Sequence, residues 1–345
     1  MKILIVGDNL WDIYEKAFYR GFKELGYDIE IFGYGNRFKT SLWHKIENKF
    51  SYGILVNKIN KDLLEKIQSY KPDLIFFYRV RHIYPNTINK IKKYYPKIKL
   101  FAYNNDDPFA EYYPSYYWRH YKNSLKYMDW IFSYRWKNID DYQSLGYDNV
   151  SLLRSYYLKE KNYYIENIND NKYKCDVIFL GHWEDDGRDE YIKLLFDSGI
   201  DIKIYGHSWQ NSKYYDYFIQ KLGYEIKVID KDYNLAINSA KIALVFLSKL
   251  NNDTYTRRCF EIPVTKTMMV SIYTDDLAKN LFEEDKEAVY FRNKEELLKK
   301  IRYYLKNENK IKEIGENGDK RLMKDGHEVV DRCREIIRVY NEIIN

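Results

Sequence analysis

At 345 residues the chain has room for about two ordinary domains. Its 45% hydrophobic and 18% aromatic content excludes a disordered polymer, and three widely spaced cysteines exclude a disulfide framework or a cysteine-built zinc site. A net charge of +6, from 57 basic and 51 acidic residues, is too mild for a dedicated nucleic-acid binder but suits anionic small molecules or weak attraction to an anionic membrane face.

Short β-branched runs alternate with helical patterns throughout, which indicates an α/β protein with parallel sheets. In the first half, strands are predicted at residues 3–6, 29–32, 74–77, 100–103, 130–132 and 150–153, with helices at 13–25, 61–69, 87–93, 115–126 and 138–145. A polar stretch rich in Asn and Lys, residues 159–174, reads as a linker. The second half has strands predicted at 175–180, 202–205, 226–229, 242–246, 268–272 and 288–290, and closing helices at 295–305, 310–323 and 329–344. In the last helix Val329, Cys333, Ile336, Ile337 and Tyr340 share one face at spacings of three and four. The expected organisation is a domain at 1–158, the linker, a domain at 175–327 and a final helix at 328–345, with ligands bound in a cleft between the two domains.

The apolar run at residues 3–6 is too short for a signal peptide, and the longest run elsewhere, 242–247, cannot span a bilayer. A cytoplasmic protein is expected, and the sequence leaves its oligomeric state open. The 38 tyrosines have two explanations, an A/T-rich genome or a surface for stacking on sugars or bases. Tyr103, Tyr205 and Tyr255, which stand beside motifs, are the candidates for stacking.

The first strand ends in a single glycine, Gly7, followed by Asp8. A G-x-G-x-x-G fingerprint is absent there, Gly33-Tyr34-Gly35 follows the wrong strand, and no P-loop occurs, so dinucleotide oxidoreductase and P-loop chemistry are excluded. The densest polar constellation runs from Asn251 to Pro263 after the strand at 242–246. Thr254 or Thr256 could cap a short helix ended by Pro263, placing its N-terminus with Arg257 and Arg258 where a diphosphate would sit. Glu261 could accept from vicinal ribose hydroxyls. The alternative is a surface helix pair between Glu261 and either arginine.

This segment and the residues after it resemble the C-terminal domain of CgeB-like glycosyltransferases, in the broad group with a GT-B fold. The resemblance rests on Arg258-Cys259-Phe260-Glu261-Ile262-Pro263, Met268-Met269-Val270, Glu287-Ala288-Val289, Lys294-Glu295-Glu296-Leu297, Gly315-Glu316-Asn317-Gly318 and His327. Upstream, Gly181-His182-Trp183 with Arg188, Tyr205-Gly206-His207-Ser208-Trp209, and Tyr103-Asn104-Asn105-Asp106-Asp107-Pro108 are also similar to family segments, so the likeness covers nearly the whole chain in order. The chain departs from the family at Lys266, where a glycine is usual, and at Asp253, which stands eight residues before Glu261 where many retaining members carry Glu.

The resemblance implies two Rossmann-like domains facing each other across a cleft, with the C-terminal helix packing back toward the N-terminal domain. It also implies metal-independent sugar transfer from a nucleoside diphosphate sugar to a hydroxyl acceptor on a glycan, glycoprotein or other surface glycoconjugate. UDP-sugar is the first donor expected, with GDP- and dTDP-sugars next, and no other cofactor. Donor-side residues would be Glu261, Arg258, Arg257, Lys266, Asp253, Gly181, His182, Arg188, Gly206 and His207. On the acceptor side they would be Gly7, Asp8, Arg79, Arg81 and His82, with Asp106 as the base. Asp106-Asp107 and Glu184-Asp185-Asp186 read as acidic pairs rather than a metal motif. Two other functions stay open: an epimerase or hydrolase of nucleotide sugars on the same fold, and a catalytically degenerate module binding glycan or nucleic acid.

Overall fold

A computed structural model describes residues 1–344 and divides into two compact units. The first unit holds Met1–Ser155 together with the chain from Glu328 onward, and the second holds Tyr156–His327.

The first unit is built on six parallel strands, β1 (Lys2–Gly7), β2 (Asp28–Gly33), β3 (Leu74–Tyr78), β4 (Lys99–Asn104), β5 (Trp130–Ser133) and β6 (Val150–Leu152), in the order β2-β1-β3-β4-β5-β6. All five residues of β3 are buried, as a central parallel strand with both faces covered requires. The connecting helices are α1 (Glu15–Glu24), α2 (Leu42–Phe50), α3 (Ile54–Tyr70), α4 (Pro85–Tyr94), α5 (Arg119–Ser124) and α6 (Trp136–Ser144). Helix α2 lies outside the predicted set; it buries none of its residues, so no core-facing apolar stripe advertises it.

The second unit carries five parallel strands, β7 (Cys175–Leu180), β8 (Ile202–Tyr205), β9 (Ala240–Val245), β10 (Met268–Ile272) and β11 (Val289–Phe291), in the order β11-β10-β9-β7-β8. Its helices are α7 (Arg188–Asp197), α8 (Tyr215–Leu222), α9 (Tyr233–Asn238), α10 (Arg258–Glu261), α11 (Lys294–Leu305) and α12 (Glu308–Asp325). The last helix, α13 (Val329–Ile344), belongs to the first unit and packs on α1. A Cβ on Gly21 of α1 would lie 2.7 Å from Cys333 Sγ, so this glycine sets how closely the two helices approach.

Two expectations are corrected. Residues 226–229 form no strand: they run beside edge strand β8, where Gly206 N–H donates to Lys227 O at 3.0 Å but no ladder forms. The stretch 159–174 is not a free linker but part of the second unit. Its backbone is tied to α9 by Tyr163 N–H donating to Asn234 Oδ1 (3.1 Å) and Ile165 N–H to Asn238 Oδ1 (2.8 Å), while Tyr173 Oη donates to Asp232 (2.6 Å). The asparagines that tie it down belong to α9, while within the stretch Asn162 Oδ1 accepts from Leu158 N–H at 3.2 Å.

Candidate functional site

In an open parallel sheet the chain leaves a crevice where successive connections run to opposite sides, beyond the carboxyl ends of the strands. In the second unit that point lies between β7 and β9, because β8 sits on one side of β7 and β9 on the other. Arg258 occupies it: its Nη2 donates to Phe246 O just past β9 (3.4 Å), and its guanidinium lies 6.0 Å from the centre of the Phe179 ring of β7. Arg258 Nε is buried and, among the described residues, has no hydrogen-bond partner. Such a donor is costly to leave unmet, and an anion at the crevice would meet it.

Glu261, at the end of the same short helix, is 8% exposed. Its Oε1 accepts from Arg257 Nε at 2.6 Å and its Oε2 from Tyr233 Oη at 2.7 Å. A carboxylate has about four acceptor positions, so a pair of hydroxyls still finds two. Arg257 also lies 4.9 Å from the Tyr156 ring centre, and it thus orients Glu261 rather than reaching for phosphate. Burial and the Glu261 charge push the Tyr233 hydroxyl well above the usual tyrosine range, keeping it a donor. The helix is a single turn with Arg257 at its N-cap position and no side-chain cap. Thr254, expected as a cap, instead donates to Asp276 at 2.9 Å, and Thr256 offers only its carbonyl, to Cys259 N–H. Asp253 lies in the turn before this helix, its N–H bonded to Ser248 O at 3.0 Å.

Two strand-end loops frame the same end of the sheet. Gly206 has φ +152°, and a Cβ there would lie 2.0 Å from Gly181 O. Close contact of the two loops stacks the His182 and His207 rings, 4.9 Å apart and 4° from parallel. Burial and the neighbouring His182 push the His207 pKa down. His182 Nε2 lies 2.7 Å from Glu184 Oε1, and the other carboxylate oxygen accepts from Ser248 Oγ at 2.9 Å, joining the loops after β7 and β9. Burial would raise the Glu184 carboxyl, but His182, Arg188 and Ser248 hold it below the ordinary range.

Arg188, expected at a diphosphate, is corrected: it is 1% exposed, and its guanidinium pairs with Asp186 at 2.6 Å and donates to His182 O at 2.7 Å. It braces the loop that carries His182. Lys266 is also corrected. It stands just before β10, at the amino end of the strands and away from the crevice, with Nζ 4.5 Å from the Tyr164 ring centre. Its φ of +59° explains why a glycine suits this position. Lys266→Ala should therefore leave nucleotide-sugar affinity within about twofold of the parent, as read by calorimetric titration; a tenfold loss, about 1.4 kcal/mol, would return Lys266 to the donor site.

In the first unit the same topological rule points between β1 and β3, since β2 and β3 flank β1. Asp8 follows β1 and Arg79 follows β3, and Arg79 lies 3.9 Å from Asp8 and 3.3 Å from Asp106. Gly7 ends β1 against the buried Glu15 carboxyl. Burial raises the Asp8 carboxyl against the opposing pull of Arg79 and Arg81. Arg81 lies 4.0 Å from the Tyr117 ring centre and donates to Asn48 at 3.2 Å. His82 is not part of this group: it is fully buried against Phe38 and Tyr34, and burial drops its pKa to about 3. The turn before Pro108 is made by Asp107, whose Oδ1 accepts from Phe109 N–H at 2.9 Å, which leaves Asp106 to Arg79.

The stacking tyrosines are corrected as well. Tyr103 and Tyr255 are 1% and 0% exposed and belong to the cores, and Tyr205 stacks on Tyr224. Among the described residues no group of three or more metal-type ligands comes together, and no helix is long and apolar enough to cross a membrane.

Comparison with known proteins agrees with this reading of the fold. Residues 188–338 match a family model described as glycosyl transferase-like. No curated protein matches the sequence. Among solved structures, sucrose-phosphate synthase from Thermosynechococcus elongatus is similar over 100% of this chain and 99% of its own, with TM-score 0.68 at 10% identity. Anabaena HepE in complex with UDP-glucose is similar over 99% and 100%, with TM-score 0.64 at 12% identity. The UDP-GlcNAc 2-epimerase from Methanocaldococcus jannaschii is similar over 94% and 100%, with TM-score 0.55 at 14% identity. The chain thus has the GT-B fold, and its residues 188–338 match the glycosyl transferase-like family model.

Proposed function

We propose that the protein is a glycosyltransferase that moves a sugar from a nucleoside diphosphate sugar to a hydroxyl acceptor, and that it is of the CgeB-like kind. The observation that carries this reading is the pair at the β7/β9 crevice: an under-paired Arg258 guanidinium beside a carboxylate, Glu261, held in place by Arg257 and Tyr233. Arg258 would neutralise the departing diphosphate and Glu261 would take the ribose hydroxyls. The chemistry would be metal-independent, because the acidic pairs are already committed to cations: Asp106 to Arg79, and Glu184 and Asp186 to Arg188. His182 and His207 would orient the donor.

On the acceptor side, Asp8 and Asp106 flank Arg79, and either carboxylate could take the acceptor proton. Burial lifts the Asp8 carboxyl above the ordinary carboxylate range, which suits it to take a proton. Arg79 and Arg81 would hold an anionic acceptor. A UDP-sugar is the first donor to test, supported by the HepE structures with UDP and UDP-glucose. Epimerases share the fold, and they are separated from transferases by whether product forms without an acceptor.

Thermal stabilisation is the test. A panel of UDP-, GDP-, dTDP- and CMP-sugars should raise the melting midpoint with at least one member. Glu261→Ala should weaken that donor by about ten- to a hundredfold, the scale of lost hydrogen bonds to a charged group. No shift with any nucleotide sugar would reject the proposal.

A further inference from the structure

Helix α2 is amphipathic the wrong way round for a packed helix. Leu42, Trp43, Ile46 and Phe50 fall within an arc of about 100° at the helical repeat of about 100° per residue, and they are 74%, 75%, 41% and 44% exposed. Glu47 and Asn48 face the protein instead. Glu47 Oε2 accepts from the N–H groups of Leu55 and Val56 at 2.7 and 3.2 Å, which caps α3, and Asn48 accepts from Arg81 and lies 3.2 Å from His82 Nε2 through its carbonyl. The apolar patch continues past the helix in Ile54, at 84% the most exposed large apolar side chain of the chain's described residues. A soluble helix normally does the reverse, and an outward patch of this kind marks a contact surface.

Charge selects the occupant. Along residues 39–58 the exposed cations are Lys39, Lys45, Lys49 and Lys58, and the one acid, Glu47, is turned inward. Lys45 and Lys49 border the apolar arc on one side. A two-fold contact with a second copy would bring these lysines face to face, whereas an anionic surface answers them. An interfacial helix with Trp and Leu on one face and lysines beside them is the arrangement that lies in a lipid headgroup layer.

The geometry points to α2 and the adjoining Ile54 as a docking face for an anionic lipid bilayer, with Trp43 and Leu42 inserted among the acyl chains and Lys45 and Lys49 on the headgroups. This face is independent of the nucleotide-sugar site and does not rest on the transferase reading.

Co-sedimentation of the full chain with vesicles tests it. The protein should pellet with equimolar phosphatidylglycerol and phosphatidylcholine at least tenfold more strongly than with phosphatidylcholine alone. Leu42→Ser/Trp43→Ser and Lys45→Glu/Lys49→Glu should each lower that partition at least tenfold. A second readout needs no variant: vesicles with brominated acyl chains should quench tryptophan emission of the native protein, because Trp43 reaches them. Failure of the native protein to pellet with the anionic vesicles, or absence of quenching, overturns the inference. So does an unchanged partition in the apolar double variant. A solution dimer that the Leu42→Ser/Trp43→Ser variant dissolves, in a protein that ignores vesicles, also overturns it and assigns the face to a second copy.

Discussion

Replacing Gly206 with alanine is expected to lower the melting midpoint of the second unit by on the order of 10 °C and to abolish donor-induced stabilisation. The cause is backbone against backbone: the new Cβ would lie 2.0 Å from Gly181 O, at a φ of +152° that side chains rarely adopt. No rotamer change relieves such a contact, so the loop after β8 must move. Strain of this kind combined with overpacking costs about 3–4 kcal/mol. The loss is functional as well as structural, because the same approach stacks His207 on His182 and lets Trp209 Nε1 donate to Gly181 O at 2.9 Å. Differential scanning calorimetry with and without the best nucleotide sugar reads both effects. A midpoint within about 2 °C of the parent would show that the loops do not need this contact.

Arg79→Met should destabilise the first unit by about 2–4 kcal/mol at neutral pH. The low end of that range reflects the 22% side-chain exposure of Arg79, which water screens in part. The methionine fills the space but removes the cation that lies between Asp8 and Asp106. The pH dependence distinguishes this cause from simple loss of packing. A carboxyl whose folded pKa lies above its unfolded value near 3.9 holds an extra proton when folded, so the fold gains as pH falls through the folded value. Asp8 is already raised by burial, and removing Arg79 takes away the largest opposing pull on it. The deficit of the variant should therefore shrink on acidification from pH 7 toward 5. Denaturant midpoints for parent and variant at the two values measure it. A deficit that is constant with pH would mean the arginine acts through its stem alone.

The strands are largely readable because a parallel strand covered on both faces appears as a short apolar run; the interior strands Cys175–Leu180 and Met268–Ile272 and the edge strand Ile202–Tyr205 have their predicted bounds. Residues 226–229 look the same in sequence, yet Val228 is 53% exposed and no ladder forms, since an apolar run alone does not say whether a partner strand is available. Helix α2 is invisible for the opposite reason. Arg258 and Glu261 can be singled out from residue type and order, whereas the separation of Arg257 from Arg258 into an orienting and an under-paired cation depends on where each guanidinium points. Arg188 and Lys266 show the same limit. A basic residue near a glycine loop reads as a phosphate ligand until burial shows that its charge is already met, or topology puts it at the other end of the strands.

The interleaved connectivity bears on how the chain folds. Cys333 Sγ lies 3.7 Å from Phe18 O across a sequence separation of 315, so the first unit closes its core with residues made long after its sheet. Loop-closure entropy opposes so distant a contact, though it grows only slowly with length. The second unit shortens the path, because its first and last residues meet: Tyr157 N–H donates to His327 O at 3.0 Å. Once that unit has folded, the long excursion acts as a short tether that delivers α13 to α1. Folding of the inserted unit thus assists completion of the unit that surrounds it in sequence, and this order agrees with that of synthesis, since residues 156–327 are made before α13.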